Sequence, residues 1–122
     1  DARENIAEAA ITLPNMTIII DDASHASHHQ QYALLELWEK LEPGGMYIIE
    51  DLRWQPDAME HQGITKTGDL LYEFQVNQAF SHSDPQIEAE LNSLAPEISG
   101  CFVFQAGYNL KRRHQVAVLH KR

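Results

Sequence analysis

Met16-Thr17-Ile18-Ile19-Ile20-Asp21-Asp22-Ala23-Ser24-His25 is followed, one helix-length later, by Leu41-Glu42-Pro43-Gly44-Gly45-Met46-Tyr47-Ile48-Ile49-Glu50-Asp51. These two stretches decide the fold. Met16 to Ile20 is short, apolar and rich in β-branched residues. A run of that kind predicts a strand buried on both faces, as in a parallel sheet. Met46 to Ile49 predicts a second such strand. Each run ends in a pair of acids, Asp21-Asp22 and Glu50-Asp51. Between them, Leu34, Leu37, Trp38 and Leu41 recur at i, i+3, i+4 and i+7, which predicts a helix from about Ser27 to Leu41 with a core-facing stripe. Glu42-Pro43-Gly44-Gly45 then breaks the chain. Two strands joined by a crossover of this length make a right-handed βαβ unit.

Working outward, Ala2 to Leu13 predicts a helix with Ile6, Ala9, Ala10 and Leu13 on one face, stopped by Pro14-Asn15. Arg53 to Gly68 has no clear period and carries Pro56, Gly63 and Gly68, so it predicts a long polar loop. Asp69 to Phe80 predicts a helix burying Leu70, Leu71, Phe74 and Val76. Ser83-Asp84-Pro85 is a start signal for a further helix reaching about Ala95. Ile98 to Phe104 and Gln115 to His120 predict strands, joined through Gly107-Tyr108-Asn109 as an antiparallel hairpin. The order α-β-α-β-loop-α-α-β-β is that of the second half of a three-layer α/β sheet with an antiparallel pair at one edge.

The whole sequence has 122 residues, 9 Lys+Arg against 18 Asp+Glu, and a formal charge of −9. That length supports one small domain. The acidic balance argues against a nucleic-acid partner, which needs a concentrated positive face. The basic residues that do cluster (Lys111, Arg112, Arg113, Lys121 and Arg122) read as a solvated hairpin turn and chain end. The apolar run Ile18-Ile19-Ile20 is far short of the roughly 20 residues of a membrane span. Cys101, the single cysteine, excludes an internal disulfide and fits a reducing compartment such as the cytoplasm. It lies within a strand pattern, as a buried and inert thiol would. Trp38 belongs to the core stripe. The first residue is Asp1 rather than Met, as in a processed or trimmed chain.

In an open parallel sheet, ligands bind outside the carboxyl ends of the strands. If the two strands are neighbours, their acids converge there. Crowded carboxylates repel, and a divalent cation is the simplest compensation. An all-oxygen donor set with few protein ligands suits Mg²⁺. His25, on the turn beyond Asp22, can reach a group held at the metal. The alternative is that these acids are polar loop starts or N-caps. His28 and His29 fall in the first helical turn and read as solvated or capping residues. In the long loop, Trp54, Met59, His61 and Lys66 either line a substrate opening or belong to an ordinary surface loop.

The combination Asp21-Asp22-Ala23-Ser24-His25, Pro43-Gly44-Gly45 and Glu50-Asp51 resembles the class I S-adenosylmethionine-dependent methyltransferases. More narrowly, it is similar to the metal-dependent sugar O-methyltransferases of macrolide biosynthesis and their cephalosporin-hydroxylase-like relatives. Those carry I-D-D-G-S-H, a helix, L-K-P-G-G, a strand and E-D. The resemblance covers about residues 16 to 52, and the rest agrees in element order. It implies a Rossmann-like methyltransferase sheet of which this chain is the C-terminal, metal-bearing half. It implies Asp22, Glu50 and Asp51 as ligands of Mg²⁺ or a similar cation. It implies His25 as the general base acting on a substrate hydroxyl, and Asp1 as a residue near the adenine of S-adenosylmethionine. Ala23 stands where the family has Gly, so this turn must adopt ordinary backbone angles or accept strain.

The implied activity is O-methyl transfer to a hydroxylated small molecule, a sugar or glycosylated natural product. The alternative is a non-enzymatic methyltransferase-like remnant serving as an interaction module. A phosphoryl-transfer enzyme using the same acids lacks a phosphate-cradling glycine loop. The family's glycine-rich cofactor turn is absent from this chain, so residues 1–122 read as a partial domain. Without preceding strands, the edge at 16–22 is apolar and exposed. Such an edge is expected to be covered by an upstream half or by a second copy.

Overall fold

The computed structural model describes residues 1–104 and 115–122. Its elements are helix α1 (Ala2–Ile11), strand β1 (Met16–Asp21), helix α2 (Ser27–Leu37), strand β2 (Leu41–Ile49), helices α3 (Thr67–Asn77) and α4 (Pro85–Leu94), and strands β3 (Ile98–Phe104) and β4 (Val116–Lys121). Short 3-10 turns, Trp38–Lys40 and Ala95–Glu97, precede β2 and β3. The four strands form one sheet in the order β1-β2-β4-β3. β1 and β2 pair in parallel, as the two apolar runs predict. β4 is antiparallel to both of its neighbours, which bears out the terminal antiparallel pair. The Gly107-Tyr108-Asn109 connection and Lys111 to Arg113 lie outside the described residues.

Local chemistry explains most element boundaries. Asp1 caps α1 through a capping box, its Oδ1 accepting from Glu4 N at 2.9 Å. Asp84 accepts from Gln86 N and Ile87 N, and Pro85 occupies the first turn of α4. The second helix differs from expectation. It ends at Leu37, Trp38–Lys40 tightens into a 3-10 turn, and Leu41 already belongs to β2. Pro43-Gly44-Gly45 therefore lies inside the strand, as a wide bulge rather than a break before it. Met16 pairs with Leu41 and Ile18 with Met46, so Thr17 alone faces four residues. Gly44 supplies φ 84°. At Gly45 a Cβ would fall 2.8 Å from Thr17 O, so only glycine lets the strands close again.

One face of the sheet carries the core. Ile19, Tyr47, Ile49, Leu119, Ala117 and Cys101 join Leu34 and Trp38 of the α2 region, Leu70, Leu71 and Phe74 of α3, and Ile87 and Leu91 of α4. Trp38 and Cys101 are buried, as expected, and burial pushes the Cys101 thiol up to about 12. The opposite face corrects the expectation that β1 is buried on both sides. Ile18 and Ile20 are exposed, as are Phe102 and Phe104 on β3, because β1 is an edge and no described helix covers that face. Val76, expected inside, is exposed, as are Ala9 and Leu13; of the α1 face, Ala10 alone is fully buried. Lys121 is not solvated. Its Nζ donates to Trp38 O at 2.9 Å and Leu41 O at 2.8 Å, tying the end of β4 to the start of β2. Among the described residues, no helix is long and apolar enough to cross a membrane.

Ile49→Ala, which empties a fully buried site, is expected to cost about 2–5 kcal/mol in denaturant unfolding. Ile18→Ala, on the open face, is expected to cost less than about 1 kcal/mol.

Candidate metal centre

The parallel pair delivers its acids to one rim. Glu50 N donates to Asp21 O at 3.0 Å, which carries the pairing one residue past the ladder. Beyond that bond, β1 releases Asp22 and β2 releases Glu50 and Asp51 on the same side. His25 Nε2 sits between them, 3.8 Å from Asp22 Oδ1 and 3.5 Å from Asp51 Oδ2. One donor atom each from Asp22, His25 and Asp51 lies within 4.8 Å of the others, the one such set among the described residues. Two turns achieve this with left-handed backbone. His25 has φ 64° and Asp51 φ 53°, an uncommon conformation for residues with a Cβ and one that clusters at functional sites. Ala23 is not among the positive-φ residues. The missing glycine thus costs nothing at position 23, and the unusual angles fall at His25 and Asp51.

The turn from Asp22 to Ala26 is held from within. Asp21 Oδ1 accepts from Ala23 N at 3.3 Å, Ser24 Oγ accepts from Ala26 N at 3.3 Å, and Ser24 Oγ meets His29 Nδ1 at 2.6 Å. Burial holds the Asp21 carboxyl above its ordinary value, despite the Ala23 N–H. Glu50 is likewise raised, first by desolvation and then by the charge and hydrogen bonding of Asp22 and the charge of Asp51. Anionic neighbours thus add to the effect of desolvation on Glu50, and a cation placed among them would relieve that crowding. Ligands of Mg²⁺ at about 2.0–2.1 Å lie roughly 3–4 Å from one another. The spread of donors here fits a single small cation with little adjustment. That set is Asp22, His25 and Asp51; Glu50, expected as a ligand, adjoins Asp22 but does not belong to it.

The fifth expected position, Asp1, is not part of this cluster. It caps α1, whose Ala2 and Ile6 line a cavity of about 560 Å³ with Asp21, Asp22, Ala23, Ser24, Gln30 and Tyr47. Tyr47 is fully buried, its hydroxyl has no hydrogen-bond partner among the described residues, and burial, with the nearby Asp21, drives its pKa well up.

The loop after Asp51 is pinned. Arg53 Nη1 meets Asp69 Oδ1 at 2.8 Å, Gln31 Nε2 donates to Thr65 O at 2.8 Å, and Thr67 Oγ1 donates to Ser27 O at 3.1 Å. Glu60 is the clip that sequence reasoning missed. Its carboxylate accepts from Ser27 N at 2.6 Å, Ser27 Oγ at 2.7 Å and Lys66 Nζ at 2.7 Å. It thereby caps α2, whose own N-cap, Ala26, has no side chain to do so. Burial opposes its charge, but these hydrogen bonds outweigh burial and hold its pKa below the ordinary value. Of the four loop residues considered for an opening, Trp54 alone packs against His25, with ring centroids 5.5 Å apart at 67°. Lys66 is spent on Glu60, Met59 is exposed, and His61 stacks on His28 at 3.5 Å.

His28 corrects a further expectation. It is buried rather than solvated, with its Nδ1 4.0 Å from Glu60 Oε1. Burial, reinforced by His29 and His61, pushes it down to about 4.

No family model matches the chain. Over 49 residues, 40% of this chain and 13% of the relative, it is 39% identical to the 8-demethyl-8-alpha-L-rhamnosyl tetracenomycin-C 2'-O-methyltransferase of Streptomyces olivaceus. Over 35 residues, 29% of this chain and 9% of the relative, it is 51% identical to the 8-demethyl-8-(2-methoxy-alpha-L-rhamnosyl)-tetracenomycin-C 3'-O-methyltransferase of the same organism. Among solved structures, the MycE methyltransferase of the mycinamycin biosynthetic pathway, in complex with Mg and SAH, matches 98% of this chain with TM-score 0.59 and 26% identity. The match spans 29% of that chain. The chain therefore corresponds to a minor part of these proteins' length. It is similar to sugar O-methyltransferases in sequence, and its four-stranded α/β sheet matches part of a methyltransferase fold.

His28 also makes stability pH-dependent. Below about pH 6.5 the unfolded chain takes a proton that the folded chain refuses until about pH 4. Stability is therefore expected to fall as pH drops through that window, by at most on the order of 3 kcal/mol. Denaturant unfolding between pH 7 and 4 measures this, and His28→Phe, which keeps an aromatic ring against His61, flattens the profile.

Proposed function

We propose that this chain is the metal- and base-bearing part of an S-adenosylmethionine-dependent, divalent-cation-assisted O-methyltransferase. Its acceptor is a hydroxyl of a sugar or glycosylated natural product. The observation that carries the reading is the placement of His25 Nε2 3.5 Å from Asp51 and 3.8 Å from Asp22, with Glu50 at the same rim. Likeness to rhamnosyl O-methyltransferases and to a methyltransferase structure holding Mg and SAH supports it.

In this reading Asp22, Glu50 and Asp51 hold the cation, and the acids' mutual repulsion becomes affinity for it. When bound, the cation lowers the pKa of an acceptor hydroxyl, and S-adenosylmethionine supplies the methyl group. His25 accepts the hydroxyl proton at Nε2. Asp22 and Asp51 then stabilise the imidazolium that results, since both carboxylates lie within 4 Å of that nitrogen. The Ser24–His29 pair holds the turn that carries His25. Asp1 begins the helix that lines the cavity beside Asp21 and Asp22, and we assign it to the cofactor's adenine end. The open β1 edge is covered by upstream polypeptide or by a second copy.

Calorimetric titration of the protein with Mg²⁺, with and without S-adenosylhomocysteine, tests the reading. Asp22→Asn, Glu50→Gln and Asp51→Asn are each expected to weaken Mg²⁺ by about tenfold or more. His25→Gln is expected to retain the cation and to lower methyl transfer by about 10²–10⁴-fold. A wild-type protein that takes up no Mg²⁺, or acid variants that bind it unchanged, would leave the interaction-module alternative standing instead.

A further inference from the structure

We infer that Trp54 is the acceptor platform: a hydroxylated pyranose ring stacks its C–H face on the indole and so presents a hydroxyl to His25. The inference rests on the methyltransferase reading and adds to it the residue that selects the acceptor.

A single exposed aromatic needs no functional account. What needs one is the contrast between this side chain and its backbone. Trp54 N donates to Asp51 O at 3.2 Å, closing a tight turn on the proposed metal ligand itself. Leu52, two residues earlier, is fully buried, and its N–H donates to Gln115 O at 2.9 Å. Arg53 is tied to Asp69 at 2.8 Å, and Gln55 Nε2 donates to Leu52 O at 2.9 Å. Each neighbour of Trp54 is thus anchored, yet the indole is left 46% exposed. Where it does touch a ring, that ring is His25, met near edge-on at 5.5 Å between centroids.

The other loop aromatic, His61, is consumed by its stack on His28. Trp54 is therefore the aromatic surface that adjoins the proposed base. An indole is large, flat and apolar with little conformational freedom, so it offers contact area at small entropic cost. A pyranose is matched to it chemically, because its C–H faces are apolar and its hydroxyls project around the rim. Stacking satisfies the first and leaves the second free for the acids and His25. A wholly polar acceptor would gain nothing from this surface.

The probe is methyl α-L-rhamnopyranoside, titrated into the protein in the presence of Mg²⁺ and S-adenosylhomocysteine. The sequence has two tryptophans, and Trp38 is fully buried, so acrylamide-quenchable emission reports Trp54. Sugar binding is expected to protect that emission. Trp54→Ala is expected to weaken the sugar by about tenfold, and Trp54→Phe by less than about threefold. Mg²⁺ affinity is expected to stay unchanged in both variants, which separates a lost platform from a damaged site. The platform is overturned if the sugar leaves Trp54 quenching unchanged, if Trp54→Ala binds it as wild type does, or if a protein that binds Mg²⁺ does not bind the sugar. Loss of Mg²⁺ binding in the wild type is a different failure, and it strikes the methyltransferase reading beneath.

Discussion

Everything at the candidate site depends on the parallel pairing of β1 with β2. Antiparallel neighbours would send their carboxyl ends to opposite edges of the sheet; parallel ones must release them on the same edge. Register then fixes how closely the released residues meet. Asp21 stands opposite Ile49, and the Glu50 N–H to Asp21 O bond holds the two chains together one residue further on. Asp22 and Glu50 therefore leave one hydrogen-bonded point side by side, close enough for Asp22 to act on the Glu50 carboxyl. The bulge at Pro43-Gly44-Gly45 is part of the same constraint. It absorbs three extra residues of β2 at the far end of the pair, so the near end can stay in register.

That closeness is electrostatically unfavourable by itself, and the structure shows three responses to it. The Glu50 and Asp21 carboxyls are both raised above their ordinary values, first by desolvation and then, in part, by the charge of Asp22. His25 is brought between Asp22 and Asp51 by a left-handed backbone that few residues with a side chain adopt. The third response is rigidity. The turn at 22–26 and the loop from 51 to 66 are each fixed by hydrogen bonds, so the backbone that carries the acids is held in place. A preorganised cluster of this kind favours a cation, because the cost of assembling its ligands is met by folding.

The sequence exposed this rim because its signals are local. A β-branched run that ends in two acids can be read without knowing its neighbours, and so can Asp84-Pro85 at a helix start. The end of α2 was harder. Leu34, Trp38 and Leu41 are all buried, as their spacing predicts, but periodicity reports which residues face inward and not whether the last of them is helix or strand. Glu60 and His28 were illegible for a different reason. Glu60 lies 33 residues from the Ser27 that it caps, and His28 is buried by a ring that the loop brings back against α2. Such long-range polar contacts leave no periodic trace. The open sheet face hid in the same way, since Ile18 and Ile20 look like any buried strand until the absence of a covering helix among the described residues is known.

The two histidines three residues apart carry the last step. His25 and His28 leave the same turn, yet their surroundings divide them. His28 enters a stack closed by His61, where desolvation keeps it neutral and its Nδ1 faces Glu60 without a hydrogen bond. His25, with φ 64°, lies outside that stack and faces the carboxylates of Asp22 and Asp51. A neutral buried imidazole can only support structure. His25 instead stands where a group held at the rim would meet it. Glu60 links the two cases. By capping α2 it fixes the helix start from which His28 turns inward, and by clipping the loop it steadies the chain that follows the turn of Asp51 and Trp54. The buried histidine and its clip thus steady the segment that leads from the half-buried His25.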